Sequence, residues 1–169
     1  EAANRELPSM GIMSGTTAEL LVSRALEEAG TQGGIGFAFQ GGEPTMAGKE
    51  YFRNFIEIVK RLNKNKVPVN YGIQTNGLAI DAEWAAFFAE NHFLVGVSVD
   101  GDKALHDEFR VDTAGKGTWM RIQKNLRLLQ QMSVECNLLC VVTRRCAKSA
   151  VRCYHAMKKT GVQFLQFIP

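Results

Sequence analysis

The chain has 169 residues, 46% hydrophobic and 22% charged, a globular balance that excludes a disordered or fibrous chain. Net charge is only +3 and the bases are scattered, clustering modestly at Lys60, Arg61, Lys64 and Lys66 and at Arg144, Arg145 and Lys148, so no nucleic-acid partner is expected. No apolar run approaches the roughly 18 residues of a membrane span and no signal-peptide pattern opens the sequence, which therefore reads as cytoplasmic, with no membrane partner.

Residues 16–29 carry a helical stripe at Leu20, Leu21, Ala25 and Leu26, with Thr16 and Glu19 as a capping box and Gly30 as the stop. The apolar run 35–40 predicts a buried strand. The pattern repeats as a helix over 50–63, a strand over 69–75, a helix over 81–91 and a strand over 94–99. After a longer connection come a helix over 118–132, a strand over 134–143, a helix over 147–160 stopped by Gly161, and a strand over 162–168. Strands alternating with helices predict an α/β chain with right-handed crossovers and a parallel sheet, uninterrupted by a linker or second domain.

Successive strand residues point to opposite faces. In the first three strands one face reads Gly36-Ala38-Gln40, Gly72-Gln74-Asn76 and Gly96-Ser98-Asp100. The other reads Phe37-Phe39, Tyr71-Ile73 and Val95-Val97-Val99. A sheet covered by helices on both faces needs bulk on both. Small residues that give way to polar ones suggest instead an open or curved barrel whose lumen holds a ligand; the alternative is that the glycines only relieve crowding.

In parallel α/β folds ligands bind at the C-terminal ends of strands. There the sequence places Gln40-Gly41-Gly42-Glu43-Pro44, Gln74-Thr75-Asn76-Gly77, Ser98-Val99-Asp100-Gly101 and Thr143-Arg144-Arg145, with Gln166 inside the last strand. Gly41-Gly42 allows close backbone approach, and the Glu43 carboxylate suits an ammonium group. Asn76-Gly77 and Asp100-Gly101 are also ordinary turn dipeptides. The dinucleotide fingerprint is absent, Phe39 standing where its last glycine belongs, and so is a phosphate loop. His92, His106 and His155 form no metal pair and read as surface or loop residues. Cys136 and Cys140 sit roughly 13 Å apart along a strand, and Cys146 and Cys153 roughly 10 Å apart along one helix. These spacings predict ordinary thiols, with no metal site.

The stretch from Phe37 through Gln40-Gly41-Gly42-Glu43-Pro44 to Thr45 resembles the Gly-Gly-Glu-Pro segment of radical S-adenosylmethionine enzymes. Ile73-Gln74-Thr75-Asn76-Gly77 and Val97-Ser98-Val99-Asp100-Gly101 resemble later strand-end segments of the subgroup that modifies peptides. Phe93-Leu94-Val95-Gly96, His106, Arg110, Leu139-Cys140-Val141-Val142-Thr143 and Leu165-Gln166-Phe167-Ile168 narrow the likeness to anaerobic sulfatase-maturating enzymes, from Gly11 to Pro169. The resemblance implies a partial parallel β/α barrel, lacking its first β/α unit here. It implies a cofactor site in which Gly41, Gly42 and Glu43 hold the amino group of S-adenosylmethionine while Ser98 and Arg110 contact its ribose and carboxylate. Gln40, Gln74, Thr75, Asn76 and Asp100 would line the space for the target peptide. The implied reaction oxidises a Cys or Ser of an unfolded sulfatase to Cα-formylglycine, with an electron donor such as flavodoxin or ferredoxin.

The same resemblance implies a 4Fe–4S cluster held by Cys-x3-Cys-x2-Cys, expected just before Glu1, and a chain truncated at both ends that would be inactive and poorly soluble alone. No catalytic residue is then expected within it. Two other readings are a different peptide-modifying radical enzyme, forming a thioether or crosslink, and a non-catalytic α/β domain that binds a small metabolite.

Overall fold

The computed structural model describes residues 11–31 and 33–169; Glu1 and its surroundings lie outside them. The chain resolves into two compact units where the sequence reads as one uninterrupted domain. Among the described residues one comprises those up to Ile35 with Ala47–Pro68, the other Gly36–Met46 with Val69–Pro169.

The first unit is a helix pair. Helix α1 (Gly15–Ala29) starts ahead of the expected capping box, because Ser14 is the N-cap and its hydroxyl accepts from Thr17 N at 3.1 Å. Gly30, at φ 59°, ends it as expected. Helix α2 (Lys49–Leu62) buries Phe52, Phe55, Ile56 and Val59, one stripe at helical spacing. The two helices pack together, and Arg61 pairs with Glu19 across their exposed edge.

The sheet runs β1 (Ile35–Phe39), β2 (Val69–Thr75), β3 (Phe93–Ser98), β4 (Cys136–Val141) and β5 (Phe164–Ile168), neighbours in sequence order. Strands β2 to β5 pair parallel throughout. The second unit adds α3 (Ala82–Glu90), α4 (Lys103–His106), α5 (Trp119–Gln131), α6 (Arg144–Lys148) and α7 (Ala150–Lys158). Asp81 caps α3 through Trp84 N at 2.8 Å, and α3 packs against both β3 and α5. Its rings fill the core: Phe88 lies 5.3 Å and Phe87 5.6 Å from Phe93, centroid to centroid. No described helix is long and apolar enough to cross a membrane.

The two sheet faces divide as the alternation predicts. Phe37, Ile73, Val95, Val97 and Leu138 are buried. Gly36, Ala38 and Gln74 are exposed. Register aligns Gln74, Gly96, Asn137 and Phe164 in one row of the open face, and Ser98, Leu139 and Gln166 in the next. A Cβ at Gly96 would lie 3.1 Å from both Asn137 Oδ1 and Leu139 Cδ1, so the bare backbone there makes room for the side chains flanking it.

The last helix departs from expectation. The helix read over 147–160 is two helices. Thr143 caps the first, its hydroxyl accepting from Cys146 N at 3.1 Å, and the chain breaks at Ser149 (φ −121°, ψ 30°) before α7 begins.

Candidate cofactor-binding rim

The turn after β1 is built around a carboxylate. Gly41 and Gly42 take φ of 92° and 55°, in the region that favours glycine, and nothing lies within 4 Å of a Cβ placed on either. The turn is therefore open on its outer side. On its inner side Glu43 is tied down: Oε1 accepts from Thr45 N (3.1 Å), Thr45 Oγ1 (2.6 Å) and Thr75 Oγ1 (2.7 Å), and Oε2 accepts from Asn76 N (2.7 Å). Four donors thus lock the β1 turn to the end of β2. The carboxylate brings negative charge to the rim, but its acceptors are largely occupied from within.

Thr75 does not line the open face. It follows Tyr71 and Ile73 in alternation, lies 3% exposed on the covered side, and its hydroxyl accepts from Gly77 N at 3.0 Å while donating to Glu43. Asn76 accepts from Leu78 N at 2.9 Å, a side-chain turn, so its role is partly to shape the loop. Gly77, at φ 76°, accepts at its carbonyl from Asn125 Nδ2 at 2.8 Å, which anchors this loop to α5.

Asp100 also differs from its expected place. It is buried rather than lining the open face, because Arg110 Nε and Nη2 reach its carboxylate at 2.5 and 3.3 Å and Val141 N donates to it at 2.9 Å. Two of the five N–H donors of Arg110 are thereby engaged, and its side chain remains 25% exposed. Ser98 is half-buried on the open face, and its hydroxyl has no hydrogen-bond partner among the described residues. Gln40 and Gln74 are exposed.

His106, expected at the surface, is fully buried. Asp100 N donates to its Nδ1 at 3.2 Å, which leaves Nε2 to carry the proton and donate to Thr118 Oγ1 at 3.0 Å. Thr118 passes the chain on to Arg110 O at 2.9 Å. A neutral imidazole therefore joins the backbones of the two ion-paired residues. Burial first, then the nearby Arg110 charge, lower the His106 pKa to about 4, against the opposing pull of Asp100 and Asp107. The stability from neutral His106 is complete above its unfolded pKa near 6.5 and is lost as pH falls from there toward 4. The full loss is about 3 kcal/mol, so denaturant titrations should show stability declining between pH 7 and pH 5. The decline should flatten in His106→Gln; a slope that survives would belong to another group.

The cysteines are closer than their spacing predicts. The break at Ser149 ends the straight helix that would hold Cys146 and Cys153 apart, and brings their sulfurs to 3.2 Å. Cys140 Sγ lies 3.9 Å from Cys146 and 3.8 Å from Cys153, and all three are buried. Burial pushes the Cys153 thiol up to about 12 and the Cys140 thiol also well above its usual range. The burial of His106 and the roles of Thr118, Asn125 and the cysteine group were not foreseen from the sequence. His106 stood among the residues of the family likeness, and Asn125 left a signal as a polar residue on the α5 stripe of Ile122, Leu126 and Leu129.

Residues 12–145 match the family model of the Radical SAM superfamily. The chain belongs to the radical SAM superfamily. This radical SAM chain is closely related to anaerobic sulfatase-maturating enzymes. A cysteine-type member from Clostridium novyi (strain NT) is 45% identical over 166 residues, covering 98% of this chain and 44% of that protein. A serine-type member from Klebsiella aerogenes is 36% identical over 135 residues, covering 80% and 33%. The solved structure of native anSMEcpe with bound AdoMet and Kp18Cys peptide superposes with a TM-score of 0.91 at 41% identity, over 96% of this radical SAM chain and 44% of that one. The chain spans less than half the length of the curated relatives it matches. Its alternating parallel strands and helices are those of a partial radical SAM barrel.

Proposed function

We propose that this chain holds S-adenosylmethionine and a sulfatase peptide at the rim of its sheet, within an enzyme that oxidises a peptide Cys or Ser to Cα-formylglycine. The observation that carries the reading is the open Gly41-Gly42 turn, held from behind by Glu43, in a chain 45% identical to a cysteine-type sulfatase-maturating enzyme.

The residues present fit S-adenosylmethionine. The space that a Cβ would take at Gly41 and Gly42 is vacant, so an ammonium group can approach the turn's backbone near the Glu43 charge. Ser98 offers an unengaged hydroxyl for a ribose, and the outer donors of Arg110 suit a carboxylate. Gln40, Gln74 and Asn76 would meet the peptide. Asp100 and Thr75 act as positioning residues, the one orienting Arg110 and the other Glu43. When bound, the superfamily's cofactors supply a 5′-deoxyadenosyl radical that removes hydrogen from the β-carbon of the target residue. The cysteines of this chain do not fit a 4Fe–4S cluster: in such a cube each sulfur ligates a different iron, so the ligands stand wider apart than 3.2–3.9 Å. Flavodoxin or ferredoxin would supply electrons, and the cytoplasm is the compartment this reading implies.

The test is anaerobic incubation of the reconstituted full-length protein with S-adenosylmethionine, a reductant and sulfatase peptides bearing Cys or Ser at the target position. The expected result is a peptide aldehyde, trapped by a hydrazine reagent, with Cys the better substrate. Cleavage of S-adenosylmethionine with a thioether or crosslink as the sole peptide product would overturn the assignment.

A further inference from the structure

We propose that Cys140, Cys146 and Cys153 form a site for one thiophilic metal ion, with Zn2+ the ion that best fits, set in the core behind the rim. The geometry carries this. Four sulfurs on a tetrahedral zinc, each about 2.3 Å from the ion, stand about 3.8 Å from one another. Two of the three separations here are 3.8 and 3.9 Å. Only Cys146 and Cys153, at 3.2 Å, would need to part slightly. A disulfide is the poorer account, since that gap is well beyond the bond length of about 2.05 Å and a third sulfur stands equally close to both.

The donor set is soft. Met157 Sδ lies 4.0 Å from Cys153 Sγ, a neighbouring thioether that adds to the soft character of the surroundings, and the fourth position is left to it or to a water. Among the described residues no carboxylate or imidazole joins the group. Thiolate with thioether selects zinc or monovalent copper over harder ions. The three cysteines come from β4, α6 and α7, so one ion would fasten both helices to the strand across the break at Ser149. Gly101 lies against this group, where an added Cβ would be 3.0 Å from Cys153 Sγ, so the ion would sit behind the loop that carries Asp100. On loading, the thiol protons pass to solvent and three thiolate–metal bonds form.

The test is metal analysis of the full-length protein, purified anaerobically as wild type, Cys146→Ser and Cys136→Ser. Cys136 lies outside the group and serves as the control. Zinc should be one equivalent per chain higher in wild type and Cys136→Ser than in Cys146→Ser, whatever other metal the protein holds. Should Cys146→Ser fail to fold, zinc-edge X-ray absorption of the wild type decides: a shell of at least three sulfurs at about 2.3 Å supports the site. Equal zinc in three folded proteins, a wild type that takes up no added Zn2+, or a Cys146–Cys153 disulfide in the anaerobic protein would each overturn it.

Discussion

Glu43→Gln should lower both the stability of the protein and its affinity for S-adenosylmethionine. The carboxylate serves donors on two sides, three at Oε1 and one at Oε2. An amide can keep its oxygen toward only one side; its NH2 must then oppose Asn76 N–H or the Thr45 and Thr75 donors. Losing one charge-assisted bond and facing donor with donor costs about 1.5–3 kcal/mol of stability. Removing the negative charge beside the Gly41-Gly42 turn should also raise the cofactor dissociation constant roughly 10- to 150-fold. Thr75→Val separates the two effects, because it removes a brace and leaves the charge. It should lower the melting temperature, while the folded protein loses clearly less affinity than Glu43→Gln does. Calorimetry on the reconstituted full-length protein measures affinity, and a thermal melt measures stability. Unchanged affinity in folded Glu43→Gln, with a lowered melting temperature, would leave Glu43 as a turn residue only.

The largest single loss of stability is expected at Asp100. Its side chain is 7% exposed and satisfies Arg110 and the amide of Val141. Asp100→Ala strands a partly buried guanidinium and an amide, a class of change that costs about 3–5 kcal/mol. Arg110→Met should also destabilise, by leaving the carboxylate unpaired. The double variant should lose clearly less than the sum of the two, since neither charge is then left alone. Urea titration of all three checks this, and strict additivity would show that Asp100 and Arg110 do not stabilise the protein as a pair.

Much of this arrangement is visible in the linear pattern because it depends on local rules. The alternation in Ile35–Phe39, Val69–Thr75 and Phe93–Ser98 shows which face is covered, and glycines or N-caps mark the helix ends. The strand-end clusters were legible for the same reason, since each follows directly on its strand. What escaped depends on partners distant in sequence. Glu43 reads as a free carboxylate until Thr75 and Asn76, over 30 residues on, supply its donors. Asp100 reads as a turn residue until Arg110 and Val141 close on it. Cys146 and Cys153 look distant only if the helix between them is straight, and Ser149 carries no glycine or proline to announce the break.

The order of the strands has a consequence for how the chain is made. From β2 to β5 each strand lies beside the one synthesised just before it, so none must wedge between two that have already paired. The sheet can grow along one border as the polypeptide leaves the ribosome, each new strand finding its template already laid down. Such growth keeps pairing close in sequence and avoids the slow search that distant pairings demand.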